Sequence, residues 1–540
     1  MQKRKFWGWG IEGGGPSQED IDQSISSVEK RLGTSLPRTA EPPKENELNL
    51  PSIRIKVPAT LSAICRNSPW ERAAHHYGAS YRDVVRAFRR EFPKPPDWVA
   101  YPQSEGDVSS ILDWCGDNKV AAIPFGGGSS VVGGVEMPSL ESGNYEGAIS
   151  IDLSNLRKVM EIDKTSRAAR IQAGILGPDL ENQLRPHGLT LRHFPQSFEF
   201  SSLGGWIATR SGGHFATVYT HIEDLVESIR AVTPSGILES RRLPGSGAGP
   251  SPDRMLAGSE GILGIITEAW MRLQDRPKFR ASAAVLFPEP NGFLKGAEAV
   301  REVSQSMLFP TNCRILDKTE AFNNGVGNGD SAVLILGFES ADHPTDKILE
   351  RGIEICRDAG GTILDNQINA QSGESSSVNR DGAAGAWRKA FIEMPYIRDA
   401  LVGHSVVVDT FETCITWDQF PSFHANVTAT VEKALREICG SGSVSCRFTH
   451  VYPDGPAPYY SITAPGIFGS ELEQWDEIKA AAADIVISEG GTITHHHAVG
   501  RDHRPWYDQQ RPDIFADALR AAKQQIDPGA ILNPGVLLDP

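Results

Sequence analysis

Apolar and polar positions alternate with two different periods along the chain, and the periods mark its elements. Val108, Ile111, Leu112 and Trp114 recur at helical spacing within Glu105 to Asn118. Short apolar runs, Trp98 to Pro102 and Val120 to Ile123, flank them, which predicts strand, helix, strand. Gly147 to Leu153, Ala169 to Gly174 and Ile229 to Pro234 read as further strands, and Pro178 to Pro186 as a helix. A helical stretch from Asp83 to Phe92 stops at Pro93-Lys94-Pro95-Pro96-Asp97.

From Lys278 to Phe287 a new unit opens with alternating apolar residues. Helices are expected at Phe293 to Gln305, Pro344 to Ala359, Trp417 to Cys439, Leu472 to Glu489 and Pro512 to Ile526. Strands are expected at Ala332 to Gly337 and Ser405 to Thr410, and a hairpin at Ser443 to Thr449 with Tyr459 to Thr463 around a Pro-rich turn. Asn366 to Ala386 has too few apolar residues to pack and reads as a loop. Residues 1–55, rich in Pro, Gly, Ser and Glu, read as an arm that wraps the body or is partly disordered, with one helix, Ser17 to Leu32, and with Trp7 and Trp9 against the body. The chain is therefore α+β: the arm, a domain over 56–275, a second over 276–480, and a C-terminal segment over 481–540.

Composition narrows the classes. With 540 residues the chain exceeds one core, and 39% hydrophobic with 22% charged residues is ordinary for a globular protein. A formal charge of -15 argues against nucleic acid as a partner. Seven cysteines without a C-x-x-C pair argue against a disulfide framework or zinc site and for a reducing compartment. The basic start Met1 to Lys5 has no apolar run behind it, no stretch reaches the ~20 apolar residues of a membrane helix, and Leu538-Asp539-Pro540 is no peroxisomal tripeptide. The expectation is a cytoplasmic protein.

Candidate chemistry begins at Pro124-Phe125-Gly126-Gly127-Gly128-Ser129-Ser130-Val131. Three glycines bring bare N–H groups within reach of a phosphate, and two hydroxyls add donors. A glycine-rich hairpin turn would look the same, and the G-x-G-x-x-G dinucleotide pattern is absent. A second cluster contains Gln196, Ser197, Ser202, Gly204, Gly205, Thr209, Arg210 and Gly213. A third contains Glu260, Gly261, Gly264, Ile266 and Thr267. In spacing these three resemble the PCMH-type FAD-binding domain of the vanillyl-alcohol-oxidase and D-lactate-dehydrogenase superfamily. The resemblance implies two FAD-binding subdomains followed by an α+β cap, with the first cluster on the pyrophosphate and the others lining FAD.

His495-His496-His497 lie between a helix and a Gly turn. On a strand such neighbours point to opposite faces and make a poor metal clamp, and the sequence offers no further ligands, so no metal is expected. An active-site role in phosphate binding or proton transfer is favoured over a surface run. A narrower resemblance rests on Phe6-Trp7-Gly8-Trp9-Gly10, Met394 to Asp399, Phe411 to Cys414, Arg447 to Tyr452, Tyr459 and the His triplet. Over about residues 5–535 the chain is similar to the alkylglycerone-phosphate synthase family. The resemblance implies noncovalent FAD and exchange of the acyl chain of acyl-dihydroxyacetone phosphate for a long-chain alcohol through a flavin N5 adduct, a step of ether lipid synthesis.

By the same resemblance Tyr459 is the catalytic tyrosine, its pKa lowered by cations, and His496 and His497 assist it. Arg398, Arg314, Arg447 and His495 bind substrate. Peripheral membrane contact and a homodimer stay open. His450 replaces the family's usual amide, and Asn533-Pro534-Gly535 resembles the redox dehydrogenases. The second function class is accordingly an FAD oxidoreductase acting on a 2-hydroxy acid or related alcohol. Its metal segment H-x-G-D-G-N-x-H loses the second His here, reading His450-Val451-Tyr452-Pro453-Asp454-Gly455-Pro456.

Overall fold

The computed structural model describes residues 3–139, 144–219, 221–363, 368–372 and 383–539. The first sheet has four strands in the order Cys65–Arg66, Trp98–Ala100, Gly147–Asp152, Val120–Phe125, with the last two pairings parallel. The parallel strands need a crossover, and helix Glu105–Asn118 supplies it. Ser104 and Asp107 cap that helix reciprocally at its start, Lys119 ends it in the left-handed conformation, and Val108, Ile111, Leu112 and Cys115 form its buried face. An antiparallel sheet follows: Val159–Asp163, Ala168–Gln172, Ile265–Arg272, Val226–Thr233, Gly236–Glu239.

The cap is one seven-stranded sheet, ordered Ile368–Ser372, Phe279–Pro288, Ser331–Ser340, Asn312–Leu316, Ser443–Val451, Pro456–Pro465, Val406–Glu412. Alternation divides its residues between two faces. Leu334, Leu336, Cys313, Ile315, Cys446, Phe448, Tyr460 and Ile462 join the main core beneath helices that include Gly292–Gln305 and Phe420–Cys439. Arg314, Arg447 and Tyr459 occupy the intervening positions and therefore look the other way, into the cleft toward the first two sheets. No helix among the described residues is long and apolar enough to cross a membrane.

Two expectations are corrected. The loop expected at Asn366 to Ala386 contains strand Ile368–Ser372 and the start of helix Ala383–Val402, while 366–367 and 373–382 lie outside the described residues. The strand attaches by backbone pairing to Phe279–Ala283, which needs no apolar side chains. Of the two readings of the N-terminal arm, wrapping holds from residue 3 onward and partial disorder does not. Trp9 is buried edge-on against Phe200 at 5.4 Å, Trp7 meets Phe88 at 5.5 Å, and Ile25 and Val28 of helix Gln18–Leu32 share a core with Leu401 and Val406. Its apolar residues are few, but the tryptophans and the helix stripe find separate sockets. The C-terminal segment is split: helix Glu471–Ser488 packs in the cap core, whereas Ile531 and Asn533 bond to Ala122 beside the first glycine cluster.

Asp399, 3% exposed, accepts the Trp9 backbone N–H at 2.5 Å and pairs with Arg398 at 2.8 Å. Asp399→Ala should release the arm and cost about 1–3 kcal/mol, the range for stranding buried partners. Urea unfolding would measure the loss, and limited proteolysis should show new cleavage ahead of Gln18.

Candidate functional site

A cavity of about 750 Å³ runs between the glycine clusters and the cap sheet. All three clusters line it. Of the residues assigned to FAD from sequence, Pro124, Gly126, Gly127, Gly128, Ser129, Ser130 and Val131 face it from the first, and Gln196, Ser197, Ser202, Gly204, Gly205, Thr209 and Gly213 from the second. Glu260, Gly261, Gly264 and Ile266 do so from the third. Arg210 and Thr267 do not. Arg210 ends helix Leu203–Thr209 in the left-handed conformation and sends its guanidinium outward to Glu223 at 2.8 Å. Thr267 follows Ile266 on a strand, so it points to the opposite side and donates to Glu105 at 3.1 Å.

The glycines of the first cluster have a reason beyond cofactor approach. A Cβ on Gly127 would stand 1.8 Å from the Phe200 carbonyl oxygen, and one on Gly126 2.1 Å from Ser202 Oγ. The first and second clusters interlock through atoms that only glycine permits, and the same contact leaves their backbones facing one cleft. This cradle fits FAD. Arg4, which the sequence reading passed over, donates to the Gly127 carbonyl from the arm, and burial pushes its guanidinium down against the pull of Asp152.

Gln196 meets the site at a helix interrupted by a proline. Pro395 lies inside helix Ala383–Val402 and brings no N–H for the carbonyl four residues earlier, that of Phe391. The Gln196 amide donates to that carbonyl at 3.0 Å. The same helix contributes Trp387, whose ring lies 5.2 Å from both the Arg314 and Arg447 guanidinium carbons.

At the cap end Arg398, Arg314, Arg447, Tyr459, His496 and His497 line the cavity, and their charges are balanced differently. Arg447 is ion-paired with Glu320 and lies 3.9 Å over the Tyr459 ring. Arg398 is paired with Asp399. Arg314 is 2% exposed and has no carboxylate partner among the described residues; it meets His214 Nδ1 at 3.0 Å and the Thr449 carbonyl at 3.4 Å. Burial, with Arg447 beside it, pushes its guanidinium down. Helix Gln18–Leu32 adds Asp20, Gln23, Ser24 and Arg31 to the wall, which the sequence reading did not anticipate.

Three readings of the reactive residues change. The Tyr459 pKa is raised, not lowered: burial outweighs Arg447 and a 2.9 Å hydrogen bond to Thr410 Oγ1. His495 does not line the cavity but turns to Tyr452 Oη at 2.7 Å. The His triplet is a loop, not a strand, so its side chains need not alternate. Buried Glu412 fixes that loop, accepting N–H groups of His495 at 2.6 Å and His497 at 2.9 Å and the Thr494 hydroxyl at 2.6 Å. Burial alone would raise the Glu412 pKa, but His496 beside it holds it well below the usual carboxylate range. Burial takes His497 down to about 3, so it is a neutral imidazole.

Residues 96–240 match the family described as FAD binding domain, and residues 276–537 match FAD linked oxidases, C-terminal domain. The alkyldihydroxyacetonephosphate synthase of Dictyostelium discoideum is 32% identical over 86% of this chain and 77% of its own. This chain belongs to the alkyldihydroxyacetonephosphate synthase family. The Trypanosoma brucei brucei member is 28% identical over 88% of this chain and 78% of its own. A solved alkyldihydroxyacetonephosphate synthase superposes with a TM-score of 0.78 at 27% identity, covering 98% of both chains. The protein is thus an FAD-dependent enzyme of this family, with the α+β architecture expected of the PCMH type.

Gly127→Ala should yield colourless protein, because the Phe200 carbonyl leaves no room for a methyl group; flavin absorbance after gentle purification checks it. A second test uses Glu260, which burial raises to about 7 although it accepts N–H groups of Val499 and Gly500, both at 2.8 Å. A carboxyl raised in the folded state adds stability that is complete below its ordinary range and lost as pH rises through about 7. Wild type should therefore lose stability relative to Glu260→Gln, by on the order of 3 kcal/mol, between ~pH 4.5 and ~pH 7. Urea melts at several pH values read the difference, which should be flat above that window.

Proposed function

We propose that the enzyme exchanges the acyl chain of acyl-dihydroxyacetone phosphate for a long-chain alcohol, giving an ether-linked product. The observation that carries this reading is Arg314, a buried guanidinium without a carboxylate partner among the described residues, in the cavity that the glycine clusters also line. A buried cation left uncompensated by the protein suits an anionic substrate, and a planar guanidinium suits phosphate or carboxylate. Arg447 is already neutralised by Glu320, so its role is to sit over Tyr459. Arg398, tied to Asp399, is the lesser anion site.

Bound FAD supplies the nucleophile that these side chains do not. The protein supplies proton traffic. Tyr459, kept a neutral phenol by burial, is the acid that returns a proton at carbon 1, and neutral His497, 5.5 Å away between ring centroids, is the base that removes one. His496, 6.0 Å from Tyr459, stands by the substrate phosphate. The proposed setting is cytoplasmic, where the seven cysteines, all free, stay reduced.

The test is anaerobic. Acyl-dihydroxyacetone phosphate should bleach the flavin, and a long-chain alcohol should restore its oxidised spectrum without an electron acceptor, with ether product recovered. Tyr459→Phe should keep its flavin and lose roughly 100- to 10,000-fold in turnover. Acceptor-dependent turnover of a 2-hydroxy acid with no exchange would replace this reading with the oxidoreductase one.

A further inference from the structure

We propose that His450, His495 and His496 form a binding site for one divalent transition metal ion of the zinc class. One nitrogen from each of the three lies within 4.8 Å of the others. Ring centroids are 4.9 Å apart for His450 with either partner and 5.2 Å for His495 with His496. In a tetrahedral site with metal–nitrogen bonds of about 2.0–2.1 Å the ligand nitrogens stand roughly 3.4 Å apart, so a small closing motion would assemble it. The third ligand, absent from the triplet, comes from another element. Strand Ser443–Val451 slips register between Phe448 and His450, and such an irregularity re-aims a side chain.

Hydrogen bonding fixes which atoms are offered. His450 is 3% exposed, and its Nε2 is 3.1 Å from the Gly213 carbonyl oxygen. A carbonyl only accepts, so Nε2 carries the hydrogen and Nδ1 presents a lone pair. That Nδ1 is buried and has no hydrogen-bond partner among the described residues. A ring whose far N–H is held by a carbonyl while its near nitrogen stands bare is arranged as metal-ligating histidines are. His495 has Nε2 2.7 Å from Tyr452 Oη, a hydroxyl able to accept its N–H, and Nδ1 3.0 Å from His496 Nδ1. Two facing Nδ1 lone pairs repel unless a proton or a cation lies between them.

Charge and access agree. Glu412, with Oε2 3.4 Å from His496 Nδ1, brings a negative charge, and Arg314 is the cation that opposes it. His450 and His496 line the cavity, so a fourth position would open on the substrate and take an oxygen ligand. Metal binding does not depend on the exchange reaction proposed above.

The experiment counts metal. Full-length flavin-loaded protein without a polyhistidine tag is stripped with chelator, dialysed to equilibrium against zinc ion, and analysed by atomic emission. Wild type should hold one zinc per chain. His450→Gln, with unchanged flavin content and circular dichroism, should bind it at least roughly tenfold more weakly, as loss of a ligand or its support does. Should His450→Gln lose its flavin, His495→Gln takes its place, since His495 does not line the cavity. Wild type that retains no zinc, or retains it equally with both variants, overturns the proposal.

Discussion

Two buried carboxylates from different halves of the molecule grip one loop, and the site depends on that grip. Glu412, on the edge strand of the cap, accepts N–H groups of His495, His496 and His497. Glu260, in the third glycine cluster, accepts those of Val499 and Gly500. A short run of chain thus joins the cofactor cradle to the substrate end. Neither carboxylate would be tolerated at such burial without these donors. Most of the donors are backbone groups, so the grip positions the loop largely independently of its imidazoles.

The same economy of charge runs through the cap. Arg447 and Arg398 are matched by Glu320 and Asp399, and each pair fixes geometry: the first sets a guanidinium over the Tyr459 ring, the second ties the arm to its helix. Arg314 lacks such a match among the described residues and is the cation proposed here to meet an anionic substrate. Pro395 works alike, since the carbonyl it frees is satisfied by Gln196 from the opposite wall. Cap and flavin domain are therefore held together at several polar points around a cavity that stays open.

Much of this was legible in the sequence. Helix Glu105–Asn118 has the predicted bounds because its cap residues and apolar stripe are local signals. The glycine clusters could be read because they are contiguous, whereas Arg314, Arg447 and Tyr459 stood out by family resemblance, and their common face is seen only in the folded sheet. Folding alone decided what depends on residues far apart in the chain. The Tyr459 pKa rises because burial is a property of the whole cavity, not of the cations nearby in sequence. Arg210 leaves the cradle through a left-handed helix end, and Thr267 through its side of a strand that meets the cradle with the other. The arm is ordered because scattered tryptophans find separate sockets. His450 meets His495 and His496 only because a register slip and a loop held by Glu412 converge, so sequence spacing could not reveal the cluster.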